Sequence, residues 1–458
     1  MENFWDIFKQ ICKIPHCSGQ TTEMAAFIRK WAKHNGYAVK TDKASNLICY
    51  HEEATMTLQS HYDMVCLGKA PEIELVDKMN KISAVDSTLG ADNGIGVALM
   101  LLAMQDKLPV DCLFTADEEI GLIGAKELEL NIKTEFVLNL DTEEDESVYI
   151  GCAGGIDMIA TLPLKRVHIK DAKYYECSIE NLPGGHSGLD IDQNIPNANL
   201  ELAKLLQKHD IKLTDITGGQ RRNSISKSSK AIFIAEEGSK LPLQFKEAKR
   251  QDHIHYYGDT EAILSALINM PHGVKKDNTI YNIPQNSVNF AMMKVEDHKL
   301  IVNLSLRSMD GVSMAQLVEQ TRSYLDNFGF KIREENEYPA WIPEKSEFSQ
   351  RLADTVEEVE GFVEFKAIHA GLECAVLKRK APKLHFASIG PNITGAHTTR
   401  EAVDKSSVER FKEIVYKFIE AEKAFSEEDA VEKVYQGTRK KGTKNQKKEN
   451  KKENKKHR

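Results

Sequence analysis

ATMTLQSHYDMV (residues 54–65), ADNGIGVALMLLAMQDK (91–107) and VDCLFTADEE (110–119) decide the fold between them. The first and third are apolar runs of strand length, and the middle one reads as an apolar helix opened by a loop at Asp92. TEFVLNLDTEE (134–144) adds a further strand; upstream, MENFWDIFKQICKI and TTEMAAFIRKWAKHNG read as helices, the second stopped by Gly36. Alternation of this kind favours an α/β sheet. His61, Glu118 with Glu119, and Asp141 each follow an apolar strand at its C-terminal end. Open α/β sheets bind ligands outside that end of their strands, so these residues fall where a site belongs.

Further along the chain the style changes. From about Leu162, strand-like KYYECSIE, KAIFIAEE, SVNFAMMKVE and KLIVNLSLRS alternate with helical NANLELAKLLQK and TEAILSALINM, the pattern of a separate α+β unit. After Tyr338-Pro339 the earlier style returns with helical EFSQRLADTVEEVEG, the strand LHFASIG and the helix SSVERFKEIVYKFIEAEKAF. The expected organisation is therefore an α/β domain in two parts, 1–161 and 339–425, with an α+β unit, 162–338, inserted between them. No repeat of solenoid period is visible.

With 41% hydrophobic and 28% charged residues, the chain has the balance of a folded globular protein. Its longest apolar run, Ile95 to Met104, is too short to span a bilayer, and no membrane partner is expected. The N-terminal segment carries Glu2 and Asp6 and no cleavable apolar core, so no signal peptide is expected. Eight cysteines without CxxC spacing suit reduced, buried thiols in a cytoplasmic protein and exclude a cysteine zinc site. The last 20 residues hold eleven Lys/Arg against two Glu, a charge of +9, so within an overall −8 the rest of the chain carries −17. An acidic body is a poor general nucleic-acid binder, and no specific nucleic-acid partner is expected. Residues 426–458, low in complexity and basic, read as a solvated, disordered tail.

The polar clusters carry the chemistry. In His61-Tyr62-Asp63 the outer residues share one strand face, so Asp63 can hold the far nitrogen of a metal-bound His61. A chance ion pair explains that motif equally well. Asp92 in LGADNGIG serves as a helix cap or as a ligand, and the glycines lack the dinucleotide-loop spacing. Adjacent Glu118 and Glu119, preceded by Asp117, repel one another and call for a compensating cation. One of them can ligate a metal while its neighbour accepts a proton from an attacking water. Asp141, followed by Glu143 and Glu144, repeats the logic. A single acidic loop would be read as solvated; three at strand ends, with the Asp92 loop, argue for a metal site. Of fifteen histidines, His186 in PGGHSG, His369 in AIHAGLE and His397 in GAHTTRE stand out among small residues, while His385 reads as a strand or core histidine.

Taken together and in order, LQSHYDMV, TLGADNGIG, TADEEIGLIGA, NLDTEE, YIGCAGGID, GGHSG, GGQRRNSI, HAGLECAVL and IGPNITGAHTTRE resemble the M20 metallopeptidases, most closely the aminoacyl-histidine (Xaa-His) dipeptidase branch. The resemblance spans about residues 15 to 425. It implies a zinc-peptidase-type α/β catalytic domain with an inserted α+β lid, and two divalent ions per subunit, zinc with cobalt or manganese as substitutes. His61 and Asp141 would hold one ion, Glu119 and His397 the other, and Asp92 would bridge them. Asp63 would orient His61, and Glu118 would be the general base for the attacking water. In the lid, His186 and Asn223 would stabilise the oxyanion and Arg307 would grip the substrate carboxylate. Outside the lid, His369 and Glu373 would line the substrate side of the metal site. The implied assembly is a homodimer through the lid, and the implied substrate a small peptide. A deacylase, aminoacylase, carboxypeptidase or tripeptidase with the same metal site is one alternative, and a non-catalytic binding relative another. The retained Glu118 argues against the latter.

Overall fold

A computed structural model describes residues 2–169, 172–235, 242–248 and 255–427. The chain divides into two compact units, Met1–Val148 with Lys345–Phe365 and Ala381–Arg458, and Tyr149–Glu344 with Lys366–Lys380.

In the first unit a sheet runs in the order Ala38–Thr41, Leu47–Tyr50, Val110–Thr115, Met56–His61, Phe136–Asn139, His385–Ser388. The last four strands are parallel, with His61 opposite Thr115 and Gln59 opposite Asn139. All six residues of Met56–His61 and of Val110–Thr115 are buried, as expected of parallel strands covered on both faces. The helix Ala91–Gln105 is buried from Asn93 through Met104. It crosses the sheet at Gly96, where a Cβ would lie 2.8 Å from Ser60 Oγ and 3.0 Å from the Leu140 carbonyl. A second, four-stranded sheet orders Ile393–Thr394, Ala402–Asp404, Lys81–Ala84 and Leu75–Lys78. Its first two strands form an antiparallel hairpin whose loop carries His397. The C-terminal helix occupies residues 405–427, past the expected boundary at 425, and the rest of the basic tail lies outside the described residues.

In the second unit an antiparallel sheet is built around the long strands Gly154–Pro163, Ile283–Glu296 and Lys299–Ser308. Helices Ala198–Leu206, Thr260–Ile268 and Gly311–Asn327 supply Leu202, Leu206, Ile263, Leu267, Leu317 and Leu325 to its core. The unit begins at Tyr149 rather than at the expected residue 162. Gly154–Pro163 pairs with Lys299–Ser308 along its whole length, so a boundary at 161 would cut a ladder. It also takes in Lys366–Lys380, so His369 and Glu373 belong to it and not to the second part of the catalytic domain.

One expectation about the cysteines is overturned. Cys17 and Cys66 form a disulfide, while the remaining six are free and buried. The two lie 49 residues apart, beyond any local spacing signal. They meet because the chain around Cys17 runs beside Met64, with Met64 N donating to the His16 carbonyl and Ser18 N to the Met64 carbonyl. Among the described residues no helix is long and apolar enough to cross a membrane.

Candidate metal centre

Three strand ends and two loops of the first unit bring His61, Asp92, Glu118, Glu119, Asp141 and His397 together. His61 ends its strand, Asp141 follows Phe136–Asn139, and the two glutamates follow Val110–Thr115. Asp117, with φ +54°, makes the left-handed turn that leads the chain from the strand into Glu118 and Glu119. His397 is also left-handed, φ +58°, at its hairpin loop.

Asp92 is central. Its Oδ1 lies 3.1 Å from His61 Nε2 and its Oδ2 3.0 Å from His397 Nε2. Each imidazole has a second carboxylate of its own: Asp141 Oδ1 at 3.2 Å from His61 Nε2, and Glu119 Oε1 at 2.8 Å from His397 Nε2. Potential ligand atoms lie within 4.8 Å of one another in His61/Asp92/Asp141 and in Asp92/Glu119/His397, and Glu118 joins His61 and Glu119 in a third such group.

The electrostatics ask for a cation. Burial, then the charge of Asp92, pushes Glu119 up to about 7 and Glu143 up to about 8. Burial also raises Asp141. Burial would raise Asp92 as well, but His397 and His61 draw it well below the usual carboxylate range. In return, and against their own burial, His61 rises well above its usual value through Asp141, and His397 rises to about 12 through Asp92 and Glu119. The protons on the imidazoles stand where a divalent ion would. Nitrogen and carboxylate donors in this number suit zinc, and its charge would return the acids to carboxylates and the imidazoles to neutral ligands. The donor set fits the metal.

Behind the ligands, His61 Nδ1 lies 3.0 Å from the Asp63 main-chain carbonyl and 3.6 Å from its Oδ1. The nearer partner is thus the carbonyl, because the Asp63 carboxylate is engaged elsewhere. It accepts from Ser18 Oγ at 2.7 Å, Glu118 N at 2.9 Å and Glu119 N at 3.4 Å. One side chain therefore ties the His61 strand to the turn bearing both glutamates. The Asn93 side chain donates to Asp141 Oδ1 and accepts from Gly96 N. Glu401, 2% exposed, accepts from four successive main-chain N–H groups of the Asp92 loop. Sequence reading missed Ser18, Asn93 and Glu401, and noted Glu143 only as part of an acidic strand end. Glu143 and Glu401 sit inside the quoted NLDTEE and GAHTTRE segments, the only local signal they had.

The three expected lid residues belong to the second unit, and so do His369 and Glu373, expected in the catalytic domain. His186 Nδ1 accepts from Gly188 N and Leu189 N, both at 3.3 Å, which leaves the proton of a neutral ring on Nε2 as a donor. Asn223 adjoins it, its carbonyl accepting from Ser187 N at 2.8 Å. His369 Nε2 lies 2.8 Å from Ser287 Oγ, and Ser287 pairs across the sheet with Arg307. Burial, then the charge of Arg307, pulls His369 down to about 3 and keeps it neutral. Arg307, 7% exposed, donates to Tyr338 Oη at 2.8 Å, and among the described residues no carboxylate pairs with it. Glu373 is fully buried at the start of the helix Glu373–Lys380.

Comparison with known proteins places the chain in a family. The chain is 29% identical to the cytosol non-specific dipeptidase of Escherichia coli, over 88% of this chain and 94% of that one. The crystal structure of aminoacylhistidine dipeptidase from Vibrio alginolyticus superimposes with a TM-score of 0.70 at 28% identity, covering 91% of this chain and 96% of that one. A tripeptidase from Staphylococcus aureus shares the fold, with a TM-score of 0.58 at 17% identity over 92% of this chain and 98% of that one. The family model described as peptidase family M20/M25/M40 matches residues 57–421, which hold every ligand discussed above, and the chain belongs to that family.

Proposed function

We propose that this chain is a two-metal dipeptidase, holding zinc at His61/Asp92/Asp141 and at Asp92/Glu119/His397. The observation that carries the reading is Asp92 itself, one carboxylate whose two oxygens face two imidazoles, each with a second acid of its own. Bound there, the metal pair would polarise the scissile carbonyl and make the attacking water acidic. Glu118, held by its main-chain N–H on Asp63, takes the water's proton and passes it to the leaving amine. His186, with its donor nitrogen fixed, and Asn223 would steady the developing oxyanion. Cobalt or manganese would be expected to substitute. The homodimer through the second unit rests on the family resemblance. A cytoplasmic location is supported by six buried free thiols and by the Escherichia coli relative, whereas the Cys17–Cys66 bond runs against it.

Aminoacyl-histidine dipeptides are the proposed substrates. The decisive experiment is a panel of Xaa-His and other dipeptides, tripeptides and N-acyl amino acids offered to zinc-loaded protein. Cleavage of dipeptides with Xaa-His preferred supports the reading. An even rate across dipeptides removes the histidine preference, and cleavage of N-acyl amino acids alone overturns the dipeptidase assignment.

Arg307 gives a sharper test. A buried guanidinium without a carboxylate is costly unless something anionic arrives, and a peptide C-terminus is such a group. Hydrogen bonds to charged groups are worth roughly 1.5–3 kcal/mol, so Arg307→Ala should lower kcat/KM on dipeptides about 10–100-fold. On C-terminally amidated dipeptides wild type should lose a similar factor and the variant almost nothing further. Equal losses on free and amidated substrates would remove Arg307 from carboxylate binding.

A further inference from the structure

The two halves of the metal centre are held in different ways. His61 and Asp141 come from neighbouring parallel strands whose register, Gln59 opposite Asn139, fixes their spacing. Asp92 and His397 have no such ladder: one lies at the mouth of a helix, the other in a hairpin loop, 305 residues apart in sequence.

Glu401 joins those two segments. Its Oε2 accepts from Leu89 N at 2.7 Å and Gly90 N at 3.0 Å, and its Oε1 from Ala91 N at 2.7 Å and Asp92 N at 3.3 Å. Four consecutive N–H groups close on one carboxylate only because Gly90 takes a left-handed φ of +71°, where a Cβ would also strike Met64 Sδ at 2.8 Å. Glu401 reaches this nest from the His397 loop, which two internal turns stiffen, Thr398 N to the Gly395 carbonyl and Glu401 N to the Thr398 carbonyl. The same short loop thus presents His397 to Asp92 Oδ2 and grips the backbone of Asp92.

We infer that Glu401 is a positioning residue chiefly for one metal position, fixing the spacing of Asp92 and His397 and so setting the affinity of the Asp92/Glu119/His397 position. The His61/Asp92/Asp141 position shares Asp92 but draws its other two ligands from the sheet, so it depends on Glu401 less. This assignment rests on the two-metal reading above. Removing a group that orients a ligand typically costs about 10–100-fold in metal affinity, and here that loss falls mainly on one ion of the pair.

The test compares full-length wild type, Glu401→Gln and Glu401→Ala, each stripped of metal and titrated with zinc by calorimetry and chelator competition. Circular dichroism and thermal melting of the metal-free proteins report folding. Wild type should show two zinc positions. Glu401→Ala should weaken one roughly 10–100-fold and the other, which shares only Asp92 with it, much less. Glu401→Gln, whose amide oxygen still accepts while its NH2 group opposes the remaining donors, should fall between, and it carries the test if the alanine variant does not fold. At low zinc, kcat should fall with KM for dipeptide little changed, and added zinc should restore it. A general structural role would weaken both positions equally, and that result, or two unaltered positions, overturns the assignment alone. Wild type that binds no zinc overturns the metal reading, and this assignment with it.

Discussion

Exhaustive dialysis against a chelator is expected to abolish peptide hydrolysis, and zinc, cobalt or manganese to restore it. The expectation follows from how much chemistry the ion supplies. A bound divalent metal lowers the pKa of water from roughly 16 to about 7 and stabilises developing negative charge. Glu118 alone cannot do this, since a carboxylate is too weak a base for free water. The apoprotein should remain folded, because the strands and helix that carry the candidate ligands are packed by buried side chains that need no ion. Activity measured alongside metal content and circular dichroism checks the expectation, and full turnover in metal-free protein would refute it.

Glu118→Ala is expected to cost about 10²–10⁴-fold in kcat while leaving metal content nearly intact. Glu119→Ala should lose metal and activity together. The distinction is geometric: Glu119 Oε1 lies 2.8 Å from His397 Nε2 within a three-residue ligand group, whereas Glu118 approaches from the His61 side. Metal analysis of the two purified variants decides it. The reverse pattern would exchange the roles of base and ligand.

How far the sequence could be read depended on the range of the interaction. The strand runs ending at His61, Thr115 and Asn139 were legible because burial on both faces demands unbroken apolar residues, and the acids at their ends had nothing apolar to do. His397 was legible only through its motif. Glu401 was not, because its partners lie 309 to 312 residues upstream and a single Glu gives no periodic signal. The role of Asp63 was half visible. Its spacing from His61 pointed to a carboxylate beside the ring, and its Oδ1 lies 3.6 Å from Nδ1, but the strand ends at His61, and the pull of Ser18 and of two main-chain N–H groups on that carboxylate appears only in three dimensions. The inserted unit was recognised by its change of style, yet its edge was misplaced because a β-ladder crosses residue 161.

The division of the proposed metal ligands along the chain has a consequence for biosynthesis. His61, Asp92, Glu119 and Asp141 all precede the second unit and leave the ribosome before it is made, whereas His397 follows it. A nascent chain can therefore offer the trio His61/Asp92/Asp141 to an ion early, but it cannot complete the other position until the hairpin of residues 393–404 has emerged. Metal binding contributes folding free energy only where a full ligand set exists, so the second ion would act as a latch that closes on finished molecules and leaves prematurely terminated ones unlocked.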